Sequence, residues 1–304
     1  MGCSESKNKN NDAVKADDVT LQEAEPEKFV VVDKSAEAAE SPRKTIKATT
    51  KPFSQLQAAS GTSSGCVIWL HGLSQSGASW VQLELQASGG TDLSWVQWTF
   101  PDAAARPVSV LAGDEEPAWF DLSAMPADAD AEKVEEGLEA AVAAVHAMLA
   151  QAEGLGYPSE RVVLGGFAQG AALALLAGRM YDKSLAGIVG WASWLLRPTG
   201  LYKPHDANAR TPILLCNGEK DESLPIALMH TCREQLQASG ADVTHRVVAR
   251  AHAELGRDSN SDEVRDLSKF LNKRLPKSTK PPKVHASLAV ENVGGPHFFQ
   301  IRIE

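Results

Sequence analysis

Three stretches of the chain carry residues whose types and spacing could do chemistry. The first, Arg161 to Met180, reads RVVLGGFAQGAALALLAGRM: four strand-forming residues, a glycine-rich turn, then an alanine- and leucine-rich helix. Gly166 and Gly170 stand at the two glycine places of a Gly-x-Ser-x-Gly elbow. In such an elbow a hydroxyl nucleophile sits on a strained strand-to-helix turn, where a neighbouring side chain would collide. The central place is Ala168, so the turn is built and its nucleophile is missing. The second stretch, Asn217-Gly218-Glu219-Lys220-Asp221, brings a carboxylate able to accept the Nδ1 proton of a histidine and fix its tautomer. The third, Ala249 to Leu255, holds His252. Nucleophile place, acid and histidine follow one another in the order of an acyl-transfer triad, each on a loop beyond a strand. Two backbone N–H groups complete such a site, one from the residue after the nucleophile and one from the loop after an early strand. Gln169 and Leu73 stand at those two places. The result is a site able to hold a carbonyl oxygen with no atom to attack its carbon. Ser74, Ser76 and Ser193 lie on other loops and Cys216 ends a strand, so no neighbour replaces the hydroxyl.

The elements that must position these residues can be read outward from them. Cys66 to Leu70 is a short apolar run of buried-strand type, followed by the glycine-containing loop His71 to Gly77. Trp80 to Leu85 reads as helix and Ser94 to Phe100 as strand, ended by Pro101. Arg106 to Leu111 opens an excursion closed by Pro117-Ala118-Trp119-Phe120-Asp121, too rich in prolines and acids for core and so placed over one rim of the sheet. Val134, Leu138, Val142, Val145 and Leu149 recur at helical spacing and predict a helix over Glu132 to Glu153, stopped at Gly154 and Gly156. Leu185 to Trp191, Pro212 to Cys216 and Val243 to Val248 read as strands. Pro225 to Leu236 reads as a helix with proline at its start, and Ser261 to Leu275 as a last helix capped by Ser261. Strands alternating with helices predict a mostly parallel central sheet with helices on both faces.

Composition bounds the partners. The chain has 304 residues and a formal charge of −9; about 210 of them carry the patterning of one α/β core, with tails on either side. The acidic balance, with no basic face studded by aromatics, excludes nucleic acid as a partner. No apolar run is long enough to span a bilayer. Cys3, Cys66, Cys216 and Cys232 show no paired spacing, which favours reduced thiols in a cytosolic setting, and no metal or cofactor motif is present. The chain opens Met1-Gly2-Cys3-Ser4-Glu5-Ser6, a pattern that predicts myristoylation of Gly2 and palmitoylation of Cys3. One myristoyl chain holds a protein to a membrane only marginally, so the second acyl group is what would tether it stably to the cytosolic face. Residues 1–64 otherwise read as a solvated linker with one apolar island, Phe29 to Val32. The hydrolytic domain is placed at 65–276. Residues 277–304 form an extension, a basic proline-containing linker and two short runs, Val284 to Val290 and Phe298 to Ile303, flanking Asn292 to Pro296 as a possible hairpin.

Several separate motifs together resemble the acyl-protein thioesterases, a branch of the phospholipase/carboxylesterase group of α/β-hydrolases. Val67-Ile68-Trp69-Leu70-His71-Gly72-Leu73 resembles their opening strand and oxyanion loop. Arg106-Pro107-Val108 with Pro117 to Asp121 resembles their cover loop, and Gly165 to Leu173 their elbow with one residue changed. The resemblance spans Gly65 to Pro276 and puts the acid and histidine of the family on Asp221 and His252. It implies cleavage of the thioester between a fatty acyl chain, commonly palmitoyl, and a protein cysteine, or of related lipid and carboxylic esters. It also implies an apolar acyl channel, for which Leu73, Trp80 and Trp119 are the candidate linings. Asn217, Arg250 and Ala251 depart from the family pattern around the acid and the histidine. Three readings stay open: an active thioesterase in which Ala168 is a substitution, a pseudoenzyme that binds or shields acylated proteins, and a membrane-tethered interaction scaffold.

Overall fold

Neighbouring strands can run parallel only when a crossover connection joins them, and six strands pair in this way here. The computed structural model describes residues 63–89, 91–125, 135–196, 202–278, 288–292 and 299–303, all within one unit, Lys47–Glu304. The six parallel strands are β1 (Gly65–Leu70), β2 (Val96–Thr99), β5 (Val162–Phe167), β6 (Gly187–Trp191), β7 (Ile213–Gly218) and β8 (Val243–Val248), in the order β2-β1-β5-β6-β7-β8. Every residue of β1, β5, β6 and β7 is buried, as parallel strands covered on both faces must be. The helices are α1 (Gln82–Ser88), α2 (Leu138–Gly154), α3 (Gln169–Met180), α4 (Ile226–Ala238) and α5 (Asp262–Arg274). They pack as α1 against α5 and α2 against α3, with α3 lying on β5 and β6 and α4 on β7 and β8.

The excursion after β2 is more regular than expected. It folds as a two-stranded antiparallel ribbon, β3 (Ala105–Val108) and β4 (Asp114–Pro117), separate from the main sheet and mostly solvated. Two helix boundaries also differ. The helix expected from Glu132 begins at Leu138, because Gly137 adopts φ 82° and the chain enters from a left-handed turn; residues 126–134 lie outside the described residues. Ser261 stands at the N-cap of α5 as expected, yet its hydroxyl makes no capping hydrogen bond and is buried without a partner.

Aromatic packing supports the site from below. Trp69 meets Trp80 and Trp191 with ring centroids 5.6 and 5.0 Å apart, and Trp80 meets Phe167 at 5.0 Å, tilted and edge-on geometries that contribute beyond area burial. Arg161 ties the two ends of the domain, its guanidinium donating to Ser64 O and Pro276 O, each at 2.7 Å. In the C-terminal extension β9 (Leu288–Asn292) and β10 (Phe299–Ile303) pair antiparallel, with Phe299 opposite Asn292 and Ile303 opposite Leu288. Their connecting turn lies outside the described residues, as do Gly2, Cys3 and the island at Phe29 to Val32.

Candidate active site

The backbone at the elbow is strained. Ala168 sits between β5 and α3 at φ 49° and ψ −116°, a conformation that costs an L-residue free energy and persists only where its surroundings enforce it. Its N–H donates to Trp191 O at 2.9 Å and its carbonyl accepts from Ala172 N at 3.0 Å, the first turn of α3. The flanking glycines are obligatory by contact. A Cβ on Gly166 would fall 2.6 Å from the Gly170 backbone, and one on Gly170 would fall 2.3 Å from Leu70 O.

Asp221 and His252 are brought together as the sequence predicts. The Asp221 carboxylate is fully buried; Oδ1 accepts the Leu224 N–H at 2.8 Å and Oδ2 lies 2.7 Å from His252 Nδ1. A carboxylate can only accept here, so Nδ1 carries the proton and Nε2 keeps its lone pair for a substrate proton. The imidazole packs against Phe167 with centroids 4.6 Å apart. Its loop is braced on both sides: Ala251 N donates to Glu254 Oε2 at 2.8 Å, Arg250 pairs with Asp258 at 2.9 Å, and Gly256 N donates to buried Glu263 at 3.2 Å. The acid loop and the histidine loop approach so closely that a Cβ on Gly218 would fall 2.2 Å from Arg250 O.

The loop after β1 is fixed by His71, a residue that sequence reasoning did not single out. It is fully buried; Nε2 accepts from Ala103 N at 2.9 Å, which leaves Nδ1 to donate to Gly72 O at 2.7 Å. Burial holds its pKa below the ordinary imidazole value, against smaller opposing effects from Gly72 O and Asp102. The sequence marks Gln169 for its backbone N–H, yet its buried carboxamide bonds at both ends. Oε1 accepts from Trp119 N at 3.0 Å and Nε2 donates to Phe120 O at 2.8 Å. Among the described residues, the N–H groups of Leu73 and Gln169 have no carbonyl partner.

One cleft collects these groups. Gly72, Leu73, Ala168, Gln169 and His252 line it together with Phe167, Leu111 and Met125. Trp80 and Trp119, expected as channel linings, are not in its wall. Trp80 is in the aromatic layer beneath, its indole N–H donating to Gln75 Oε1 at 2.9 Å, and Trp119 lies behind the loop after β1, donating to His71 O at 2.9 Å. A large aromatic ring with a polar edge is buried most favourably where that edge finds an acceptor, and both rings found one inside. Two serines do line the cleft, Ser74 and Ser223, the latter on the Asp221 loop. Ser193 is fully buried and Cys216 is a buried thiol pushed up in pKa by desolvation, so neither is poised to attack. Cys66 and Cys232 are likewise free and buried. Among the described residues no group of three or more His, Cys, Asp or Glu could hold a metal ion, and no helix is long and apolar enough to cross a membrane.

Comparison with known proteins agrees with this geometry. The chain is 32% identical to acyl-protein thioesterase 1 of Gibberella zeae over 216 residues, 69% of this chain and 90% of that one. Among solved structures it is similar to SOBER1 of Arabidopsis thaliana, with 25% identity, a TM-score of 0.61 and coverage of 70% and 100% of the two chains. It is also similar to acyl-protein thioesterase 2 of Zea mays, with 26% identity, a TM-score of 0.56 and coverage of 71% and 96%. The sequence profile of the phospholipase/carboxylesterase family matches residues 52–275, and with the elbow, acid and histidine in their places, the chain belongs to that family of α/β-hydrolases.

Proposed function

We propose that this chain receives the acyl ester or thioester end of a lipid-modified protein in the cleft and holds it without forming an acyl-enzyme. The relatives named acyl-protein thioesterase supply the substrate class, and the cleft supplies the binding groups. A carbonyl oxygen placed between Leu73 N–H and Gln169 N–H would lie beside His252. The single observation carrying the second half of the proposal is Ala168, a methyl group on an elbow whose strained backbone is kept. In serine hydrolases loss of the triad hydroxyl costs about six orders of magnitude in turnover, and the remainder comes from oxyanion contacts and binding. What is left is a receptor built from hydrolase parts.

The test is steady-state hydrolysis of a palmitoylated peptide thioester by the chain as it stands and by Ala168→Ser. The serine has a base already aligned, so strong activity is expected only in the variant, with saturable binding in both. Turnover by the unaltered chain that vanishes on Ser74→Ala or Ser223→Ala would place the nucleophile elsewhere in the cleft and overturn the reading. No turnover and no acyl binding in either form would favour the scaffold. As part of the same proposal, acylation at Gly2 and Cys3 tethers the chain to the cytosolic face of a membrane, where acylated proteins reside. Loss of membrane fractionation on Gly2→Ala is the expected outcome; unchanged fractionation removes the tether.

A further inference from the structure

The two N–H groups of the oxyanion site follow neighbouring strands, Leu73 after β1 and Gln169 after β5; the pairing of Leu70 with Gly166 sets the spacing of the strand ends, and the loops beyond it need a further support. A single four-residue segment touches both loops. Pro117 O accepts from Ser74 N at 3.0 Å. The Trp119 indole N–H donates to His71 O at 2.9 Å. Trp119 N donates to Gln169 Oε1 at 3.0 Å, and Phe120 O accepts from Gln169 Nε2 at 2.8 Å. His71, Trp119, Phe120 and Gln169 are all buried, so water does not replace the three bonds among them when they break.

We propose that Pro117 to Phe120 is a staple that fixes the distance between the Leu73 and Gln169 amides, with Trp119 as the positioning residue at its centre. This assigns Trp119 a role other than walling an acyl channel. It makes the segment at the end of β4 a part of the oxyanion geometry even though none of its residues lines the cleft. The inference rests on the reading that those two amides bind an acyl carbonyl, and its test keeps the two claims apart.

Trp119→Phe removes the indole donor while keeping an aromatic ring. Gln169→Met keeps side-chain length and removes the carboxamide, and provides the same test from the other loop should the first variant fail to fold. In the ligand-free protein, the backbone amide resonances of both Leu73 and Gln169 are expected to move in either variant. In the Ala168→Ser background, kcat for a palmitoyl thioester of N-acetylcysteamine is expected to fall by roughly tenfold or more, the scale of an impaired oxyanion donor, while KM changes by less than about twofold, the signature of a contact used only in the transition state. In the unaltered chain, the infrared carbonyl band of the same bound thioester is expected to move to higher frequency as its hydrogen bonds weaken. A Trp119→Phe perturbation confined to His71 and Gly72, with Gln169 unmoved and kcat unchanged, would overturn the staple. If the thioester neither binds nor turns over in any form, the functional reading falls, and the amide resonances alone still decide whether the two loops are coupled.

Discussion

Replacing Gly170 by alanine asks how tightly the elbow is built, and the sign of the answer is informative. Gly170 lies in the first turn of α3, where helix propensity alone favours alanine by about 1 kcal/mol. Any net loss must therefore come from contact. The added Cβ would stand 2.3 Å from Leu70 O and 2.4 Å from His71 O, whereas real Cβ atoms essentially never come nearer than 3.0 Å. Both obstacles are backbone atoms at the end of β1, so strand and helix must part by about 0.7 Å, an overpacking cost of roughly 2–4 kcal/mol net of propensity. For a domain of this size that lowers Tm by roughly 5–15 °C, readable by calorimetry, with urea titration as a check on two-state behaviour. Gly240→Ala is the control. It has a positive φ of 84° but nothing within 4 Å of its Cβ, so it should show only the strain of a left-handed L-residue, about 1–2 kcal/mol. A Gly170→Ala protein as stable as its parent would refute the claim that Leu70 and His71 hold the elbow in place.

Two further outcomes follow from the polar groups. In the Ala168→Ser background, Asp221→Asn should lower kcat by about four orders of magnitude, because the amide no longer enforces the Nδ1–H tautomer of His252; a loss under tenfold would mean that Asp221 only supports its loop. His71 has its folded-state pKa depressed by burial, so below the ordinary imidazole value of about 6.5 the unfolded chain takes up a proton that the folded chain refuses. Its contribution to stability is complete above that value and is lost as pH falls toward the folded-state pKa. Urea midpoints measured between pH 7 and 5 should fall more steeply for the parent than for His71→Gln; parallel profiles would refute the assignment.

What the sequence made legible, and what it did not, divides along physical lines. The elbow at Gly166-Phe167-Ala168-Gln169-Gly170 is local, dictated by backbone contacts over a few residues, and it appears as read. The order Ala168, Asp221, His252 is a property of topology, and a parallel sheet with site loops at the carboxyl ends of β5, β7 and β8 turns that order into proximity. Trp80 and Trp119 are not in the wall of the cleft, because an aromatic beside a loop looks the same in sequence whether its ring faces a cleft or its N–H faces an interior oxygen. The carboxamide of Gln169 was invisible for a related reason: its partners, Trp119 and Phe120, are 49 or more residues away. Gly137 delays the start of α2 to Leu138 because propensity cannot outvote a left-handed turn set by neighbouring structure. Ser261 stands where a cap belongs, but its hydroxyl is turned into a buried site without a partner, which spacing alone does not reveal.

Asp221 and His252 are paired beside an elbow whose central residue, Ala168, cannot form a covalent bond. Intact-mass spectrometry after treatment with a fluorophosphonate probe reads this directly. The unaltered chain is predicted to gain no adduct, and Ala168→Ser to gain one, at residue 168. An adduct on the unaltered chain, or none on the serine variant while the fold is retained, would contradict it.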